Sequence, residues 1–315
     1  MQIPGVIDYG HGISVVDSAY DRHNQTAIHL IVEEGRAAVV DTGTAHAVPR
    51  LMAALEAKGI SPGQVDYVVL THVHLDHAGG AGQLMTRLPN AKLTVHPRGA
   101  RHMVDPARLL AATVAIYGAA ETRRIYGDIL PVPAARVVET NDGFTLRLAG
   151  RELLFLDAPG HARHHVVIRD GRTGHIFAGD TFGISYRELD QDGRQFSFPT
   201  TSPSQFDPPA LHRSIDRMLA LAPEAIYVTH YGRLTGVQGL AADLHRLVDA
   251  HAALAKRHRD AGPERKRLLM EGVSELVLAE RERQRWRLPS EKVLEVFALD
   301  IELNAQGLES WLDAA

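Results

Sequence analysis

Short apolar runs alternate with amphipathic segments near the start of the chain. The runs at 27–32 and 37–40 predict two strands, and the spacing of apolar residues over 48–58 predicts a helix. The apolar run at 67–70 predicts the strand that follows this helix. Strands and helices that alternate in this way are typical of an α/β fold.

A second group of strands is predicted further along the chain. Turn signals such as Asn141-Asp142-Gly143 separate its members, so we expect antiparallel hairpins. The predicted strands span 144–148, 153–156, 166–169 and 175–178. Asp207-Pro208 then predicts the start of a helix, and a last strand is expected at 225–228.

Only helical patterns remain beyond Gly236. Apolar residues recur at helical spacing in three stretches, with breaks at Ala261-Gly262-Pro263 and Leu288-Pro289-Ser290. We therefore predict an α/β domain over 1–236 and a C-terminal helical appendage over 237–315. A helical cap is expected as an insertion at about 97–130 of the first domain.

The composition narrows the classes of function. A net charge of −4 over 315 residues carries no broad basic surface, so nucleic acid is not the expected partner. The absence of cysteine excludes a thiolate metal site. No export signal is recognisable at the N-terminus, and no apolar run approaches the roughly 20 residues that cross a bilayer. We expect a cytoplasmic protein without a membrane anchor.

A dense group of potential metal ligands directly follows the predicted strand 67–70. The segment Thr71-His72-Val73-His74-Leu75-Asp76-His77 lies where side chains emerge at the end of a sheet. Alternate residues of an extended segment point the same way, so His72 and His74 are expected to bind one ion. Asp76 and His77, beyond the bend, are expected to bind a second.

Three more candidate ligands follow predicted strands. His161, Asp180 and His230 come after the strands at 153–156, 175–178 and 225–228, respectively. We therefore expect them to lie near the His-rich segment. Imidazole and carboxylate ligands suit Zn²⁺, Mn²⁺ or Fe ions.

These segments, in this order, resemble the motifs of the metallo-β-lactamase superfamily, and within it the glyoxalase II-like group. The resemblance covers roughly residues 10–235 and implies an αββα sandwich with two divalent metal ions at one sheet edge. It implies that His72, His74 and His161 bind the first ion, that Asp76, His77 and His230 bind the second, and that Asp180 bridges them. It also matches Asp41 to an acidic residue that stabilises the metal-binding loop without being a metal ligand itself.

The chemistry expected of such a site is hydrolysis. Two neighbouring metal ions polarise the scissile bond and lower the pKa of a water held between them. Asp76 is the candidate catalytic residue that orients this water and receives its proton. We expect zinc first, with manganese or iron as alternatives, and a small-molecule ester, thioester or lactone as substrate. The glutathione-binding pattern of hydroxyacylglutathione hydrolases is not recognisable near the C-terminus.

Two other functions use the same scaffold. One is a phosphodiesterase or nuclease, which the charge and the lack of a nuclease insert disfavour. The other is a diiron oxygen-binding protein or a regulatory binding protein. Relatives of the oxygen-handling kind usually carry a flavodoxin-like domain, whereas the C-terminal part here is helical. This appendage is also a candidate interface for a homodimer.

Aromatic residues supply candidate substrate contacts. Tyr186 and Tyr231 are the candidates for contacting a substrate carbonyl. Tyr117 and Tyr126 of the predicted cap are candidates for the wall of an apolar pocket. His165 is expected to be a hydrogen-bonding core residue rather than an eighth ligand.

Overall fold

The structure of the protein, a computed structural model, describes residues 5–201 and 205–314. The chain forms two compact units. The first unit takes in the chain up to Asp157 together with His164–Gly179 and Ala225–Arg233. The second takes in Ala158–Arg163, Asp180–Glu224 and the chain from Leu234 onward.

The first unit contains a seven-stranded sheet in the order β1-β2-β3-β4-β5-β6-β7. Its first four strands are antiparallel, and β4 to β7 are parallel. The strands are β1 (Val6–Gly10), β2 (Ile13–Asp17), β3 (Ala27–Glu33), β4 (Arg36–Val40), β5 (Val65–Val69), β6 (Lys92–Val95) and β7 (Val137–Glu139).

A six-stranded sheet has the order β13-β12-β11-β10-β9-β8. Neighbours from β8 to β11 are antiparallel, as the hairpin signals predict, and β12 lies parallel to β11. The strands are β8 (Thr145–Leu148), β9 (Arg151–Asp157), β10 (Val166–Asp170), β11 (Ile176–Gly179), β12 (Ile226–Val228) and β13 (Gly232–Leu234).

Two apolar clusters cover the two faces of the seven-stranded sheet. One cluster packs residues of this sheet against residues of the six-stranded sheet, so the two sheets form a sandwich. The other packs the opposite face against helices. Central strands such as β4 are therefore buried on both faces, which explains why Ala37–Val40 is a continuous apolar run.

Six helices belong to the described part of the first unit. Their bounds are α1 (Val48–Ala57), α2 (Leu75–Ala78), α3 (Ala81–Arg87), α4 (Pro97–Val104), α5 (Ala107–Tyr117) and α6 (Ala119–Tyr126). The last three form the inserted helical segment that the sequence predicts at about 97–130. Five short 3₁₀ turns complete the described elements of the chain, at Ala45–Ala47, Pro62–Gln64, Ala134–Arg136, Arg187–Leu189 and Gly262–Glu264.

The described part of the second unit is built mainly from helices. The helices are α7 (Pro208–Leu219), α8 (Val237–Arg257), α9 (Arg265–Gln284), α10 (Ser290–Val296) and α11 (Ala298–Asp313). The Asp207 side chain accepts a hydrogen bond of 3.0 Å from the Ala210 amide, so the predicted N-cap of α7 is present.

Aromatic packing joins the loop after β11 to the C-terminal helices. Phe297 lies at the centre, with its ring centroid 5.3 Å from that of Phe198 and 5.9 Å from that of Trp286. Phe196 packs on Trp286 at 4.8 Å. The Thr201 amide also donates to the Asn304 side chain at 2.7 Å. These contacts explain why the loop and the helices form one unit.

The predicted α/β class, with two sheets, an inserted helical segment and C-terminal helices, is confirmed. The compact units divide the chain differently from the predicted boundary at 236/237, because the second unit also takes in 158–163 and 180–224. The sequence did not predict β1, β2, β6, β7 or β13. Among the described residues, no helix is long and apolar enough to cross a membrane.

Two fully buried histidines make the fold sensitive to acid. Burial lowers the pKa of His29 to about 4, and the nearby charge of Asp41 only partly opposes this. Burial likewise lowers the pKa of His251 to about 4. The unfolded chain binds protons at these rings from about pH 6.5 downward, whereas the folded chain does not. The contribution of these two histidines to the free energy of unfolding is therefore fully present above about pH 6.5. It is lost as the pH falls from there toward 4.

We predict that His251→Leu reduces the acid sensitivity. Urea unfolding at pH 7 and pH 5 should show a drop in the free energy of unfolding that is about 2 kcal/mol smaller in the variant than in the parent. The control variant is His258→Gln, which changes the residue at the C-terminal end of α8. It should show the same drop in the free energy of unfolding as the parent. Equal drops in the parent and His251→Leu would contradict the buried-histidine explanation.

Candidate metal centre

The His-rich segment forms the turn between β5 and α2. His72 and His74 lie in the extended stretch, and α2 begins at Leu75 with His74 as its N-cap. Nε2 of His72 lies 2.9 Å from Nδ1 of His74, so the two rings aim nitrogen atoms at one place. This is the arrangement that alternation along an extended segment predicts.

Asp76 and His77 lie in the single turn of α2, and His230 joins them from the loop after β12. Oδ2 of Asp76 is 3.4 Å from Nε2 of His77 and 3.2 Å from Nε2 of His230. One ligand atom from each of the three lies within 4.8 Å of the others. The structure thus brings together the three residues predicted to share one ion.

The surroundings of Asp76 favour its ionised form. Burial alone would raise the pKa of this carboxyl group, but the charge of His77 and a hydrogen bond from His230 outweigh it. The pKa of Asp76 is held well below its ordinary value. Asp76 therefore offers a carboxylate, which is the form that binds a cation.

Oxygen atoms behind the histidines fix which ring nitrogen faces the centre. Nδ1 of His77 lies 2.9 Å from Oδ2 of Asp41, and Nδ1 of His230 lies 2.9 Å from the carbonyl oxygen of Gln25. Nδ1 of His72 lies 3.1 Å from Oγ1 of Thr71. An Nδ1 that donates to oxygen leaves Nε2 as the nitrogen with the lone pair. In all three rings, Nε2 is the atom that faces another candidate ligand.

The Asp41 carboxylate connects three parts of the first unit. It is fully buried and accepts hydrogen bonds from the Thr71 amide at 2.9 Å and from Oγ1 of Thr229 at 2.9 Å, besides that from His77. It therefore ties the end of β4 to the loops that carry His72, His77 and His230. Asp41 has a φ of 57°, which few non-glycine residues adopt.

The remaining two predicted ligands lie in the second unit. Nε2 of His161 is 3.4 Å from Oδ2 of Asp180. Nδ1 of His161 is 3.1 Å from the carbonyl oxygen of Thr200. Here too, an Nδ1 that donates to oxygen leaves Nε2 as the nitrogen with the lone pair. Both side chains are buried.

The donor set fits a divalent metal ion. Every candidate ligand atom is an imidazole nitrogen or a carboxylate oxygen, and four of the five histidines hold Nδ1 against an oxygen atom. Metal-binding histidines nearly always have such an acceptor behind them. Nitrogen and oxygen donors without sulfur suit Zn²⁺, Mn²⁺ and Fe ions.

The two tyrosines predicted to contact substrate are both buried. The hydroxyl group of Tyr186 donates to the Asp300 carboxylate at 2.9 Å, within the second unit. Tyr231 packs against Val15 and Ala27 of the first unit. These contacts give each tyrosine a place in the packing of its unit, and a contact with substrate stays a prediction for both.

A tyrosine that the sequence analysis did not single out lies near Asp76. The rings of Tyr20 and Tyr126 stack at 6.1 Å, and that of Tyr117 is 6.4 Å from that of Tyr126. Burial raises the pKa of both Tyr20 and Tyr126, and the negative charge of Asp76 raises each further. Both hydroxyl groups therefore stay neutral hydrogen-bond donors in the neighbourhood of this carboxylate.

Thr71, Thr229 and Gly179 also lacked a recognisable signal in the sequence, whereas His165 was predicted to be a core residue. Thr71 and Thr229 each directly precede a candidate ligand, and this is the only local feature that marks them. His165 lies with its ring centroid 4.8 Å from that of His72. Gly179 has no room for a side chain, because a Cβ atom there would lie 2.6 Å from Nε2 of His165 and 2.7 Å from Oγ1 of Thr71.

Comparison with known proteins identifies relatives of this chain. The family model described as the metallo-β-lactamase superfamily matches residues 22–230. A hydroxyacylglutathione hydrolase of Xanthomonas axonopodis is 30% identical over 234 residues, which are 74% of this chain and 69% of the relative. The enzyme of the same name from Aeromonas hydrophila is 28% identical, over 68% of this chain and 65% of the relative.

Solved structures show the same fold over nearly the whole chain. An archaeal metallo-β-lactamase superfamily protein from Sulfolobus tokodaii has a TM-score of 0.62 at 18% identity, and covers 95% of this chain and 99% of its own. A metallo-β-lactamase family protein from Thermus thermophilus has a TM-score of 0.61 at 22% identity, with coverages of 99% and 94%. At identities of 18% and 22%, these similarities show a shared fold and nothing about activity.

We predict that Asp41→Asn weakens metal binding. The neutral amide is a poorer acceptor for His77, so the ring is held less firmly and its Nε2 is a weaker ligand. Affinity for Zn²⁺, measured by competition with a chelator, should fall by about 10-fold to 100-fold. Asp66→Asn, which removes a carboxylate from a partly exposed ion pair with Arg36, should leave affinity unchanged. An unchanged affinity in Asp41→Asn would refute the supporting role.

Proposed function

Because this chain belongs to the metallo-β-lactamase superfamily and is a metal-dependent hydrolase, we propose that it uses two metal ions to hydrolyse a small-molecule ester, thioester or lactone. The observation that carries the proposal is the arrangement of the histidines. In four of the five histidines, Nδ1 lies against an oxygen atom, as is usual for metal-binding histidines.

The proposed ligands divide into two sets. His72, His74 and His161 would bind one ion. Asp76, His77 and His230 would bind the other, and Asp180 would be shared. The close approach of Asp76 to His77 and His230 supports the second set. Zinc is the proposed metal, because hydrolysis needs no redox change. Manganese and iron are the alternatives, since nitrogen and oxygen donors suit all three.

Two divalent ions, when bound, would polarise the carbonyl oxygen of the substrate and provide a water molecule of lowered pKa. Asp76 would orient that water and receive its proton, which an ionised carboxylate is able to do. Asp41 would hold the imidazole of His77 in one orientation throughout the reaction. Tyr126, which hydrogen-bonds to Tyr20 and Tyr117 and lies near Asp76, would contact the substrate through its neutral hydroxyl group.

A thioester is the first substrate class to test. The relatives that are about 30% identical are named for hydroxyacylglutathione, which is a thioester. The acyl–sulfur bond gives a carbonyl centre that is open to attack and a thiolate leaving group. Simple esters and lactones share this carbonyl chemistry and belong in the same panel.

We predict that the purified protein contains about two zinc ions per chain and hydrolyses at least one acyl compound. Elemental analysis would count the metal, and a panel of thioesters, esters, lactones and phosphodiesters would be assayed before and after chelation. Turnover of an acyl substrate that chelation abolishes and zinc restores is the expected result. Turnover of phosphodiesters alone, or inert protein after metal addition, would overturn the proposal. Iron with a visible absorption band would favour oxygen chemistry instead.

We predict that Tyr126→Phe raises KM or lowers kcat for the substrate found in this panel, with a loss of about 10-fold in kcat/KM from one hydrogen bond. The aromatic ring stays in place, so the loss reports the hydroxyl group. Tyr67→Phe, on β5, removes a hydroxyl group that is not assigned to the site and should leave kcat/KM unchanged. Parent-like kinetics in Tyr126→Phe would exclude the proposed contact.

A further inference from the structure

Helices α7 and α8 of the second unit each carry a histidine and an aspartate four residues apart. These are His212 and Asp216 on α7, and His245 and Asp249 on α8. Residues at this spacing share one face of a helix. The two faces meet, because the four side chains contact one another across the helix pair. None of the four belongs to the seven proposed ligands of the hydrolase site.

The side chains pair crosswise between the helices. Nε2 of His212 lies 3.0 Å from Oδ1 of Asp249, and Nε2 of His245 lies 3.2 Å from Oδ1 of Asp216. An ionised carboxylate only accepts hydrogen bonds, so each Nε2 carries the proton. Each Nδ1 is therefore the nitrogen that offers a lone pair when the ring is neutral.

The two Nδ1 atoms point directly at each other. They are 2.5 Å apart, and the ring planes differ by 12°. The ring centroids are 4.8 Å apart, which is the distance between the nitrogens plus about one ring radius on each side. The rings thus meet edge to edge rather than face to face. Two lone pairs that converge in this way repel each other unless a positive charge lies between them.

We propose that His212 and His245 form a further metal-binding site, which takes one divalent transition-metal ion such as Zn²⁺ or Cu²⁺ between α7 and α8. Imidazole nitrogen suits both ions. The carboxylates of Asp216 and Asp249 accept the far N–H of each ring, as acceptors behind metal-binding histidines do. Two carboxylates, two neutral imidazoles and one divalent ion sum to zero charge.

A metal ion fits after a small movement of the side chains. Zn–N bonds of about 2.0–2.1 Å at a tetrahedral angle place the two nitrogens about 3.3 Å apart. The Nδ1 atoms therefore have to separate by roughly 1 Å or less. Both histidine side chains are 26% exposed, so they have room to turn, and water is able to fill the remaining ligand positions. The ion would link the two helices.

Zinc binding to the full chain tests the proposal. The parent, His212→Gln, His245→Gln and the control His258→Gln would be dialysed against rising Zn²⁺, and bound zinc would be counted by elemental analysis. We expect the parent and the control to bind one ion per chain more than the two cluster variants. Asp249→Asn keeps both histidines and should lower the affinity for this additional ion by about 10-fold to 100-fold.

Copper provides a second measurement that does not depend on hydrolase activity. Protein whose tighter sites are filled with zinc would receive one equivalent of Cu²⁺, and its electron paramagnetic resonance spectrum would report bound nitrogen atoms. We expect coupling to two nitrogens in the parent and the control, and its loss in His245→Gln. Equal zinc counts in all four proteins, or a copper spectrum that His245→Gln does not change, would overturn the proposal. Circular dichroism would check that each variant is folded.

Discussion

The buried carboxylate of Asp41 is the interaction on which the candidate centre depends most. It accepts hydrogen bonds from Thr71, His77 and Thr229, which lie on three different segments of the first unit. A buried carboxylate is tolerated only when its oxygens are satisfied, so these segments have to meet there. The same contacts place His72, His77 and His230, because each is one of these donors or directly follows one. The carboxylate thus stabilises the fold and orients ligands at the same time.

Five of the proposed ligands belong to the first unit, in which the sheets bring the loops after β5 and β12 together. His161 and Asp180 belong to the second unit, where they lie close to each other. Aromatic packing around Phe297 makes the loop after β11 part of this helical unit. The C-terminal helices therefore stabilise the segment that begins with one of the proposed ligands.

One physical rule applies to the histidines of both candidate metal sites, with His74 as the exception. An imidazole that faces other ligands has an oxygen atom behind it, and that oxygen selects which nitrogen carries the proton. A carboxylate plays this part for His77, and backbone carbonyl groups do so for His161 and His230. Between α7 and α8, two carboxylates do the same for His212 and His245, and this repetition is the reason for assigning a metal to that pair.

The sequence by itself determined the α/β class, the C-terminal helices and the His-rich segment after β5. These features depend on the periodicity of apolar residues and on spacing along a few residues, which are local properties. Only the tertiary structure decided that Asp41 contacts His77, that Tyr20 lies near Asp76, and that His212 faces His245. Such pairs are far apart along the chain, and their meeting depends on how strands and helices pack. Local pattern contains no information about distances of that kind.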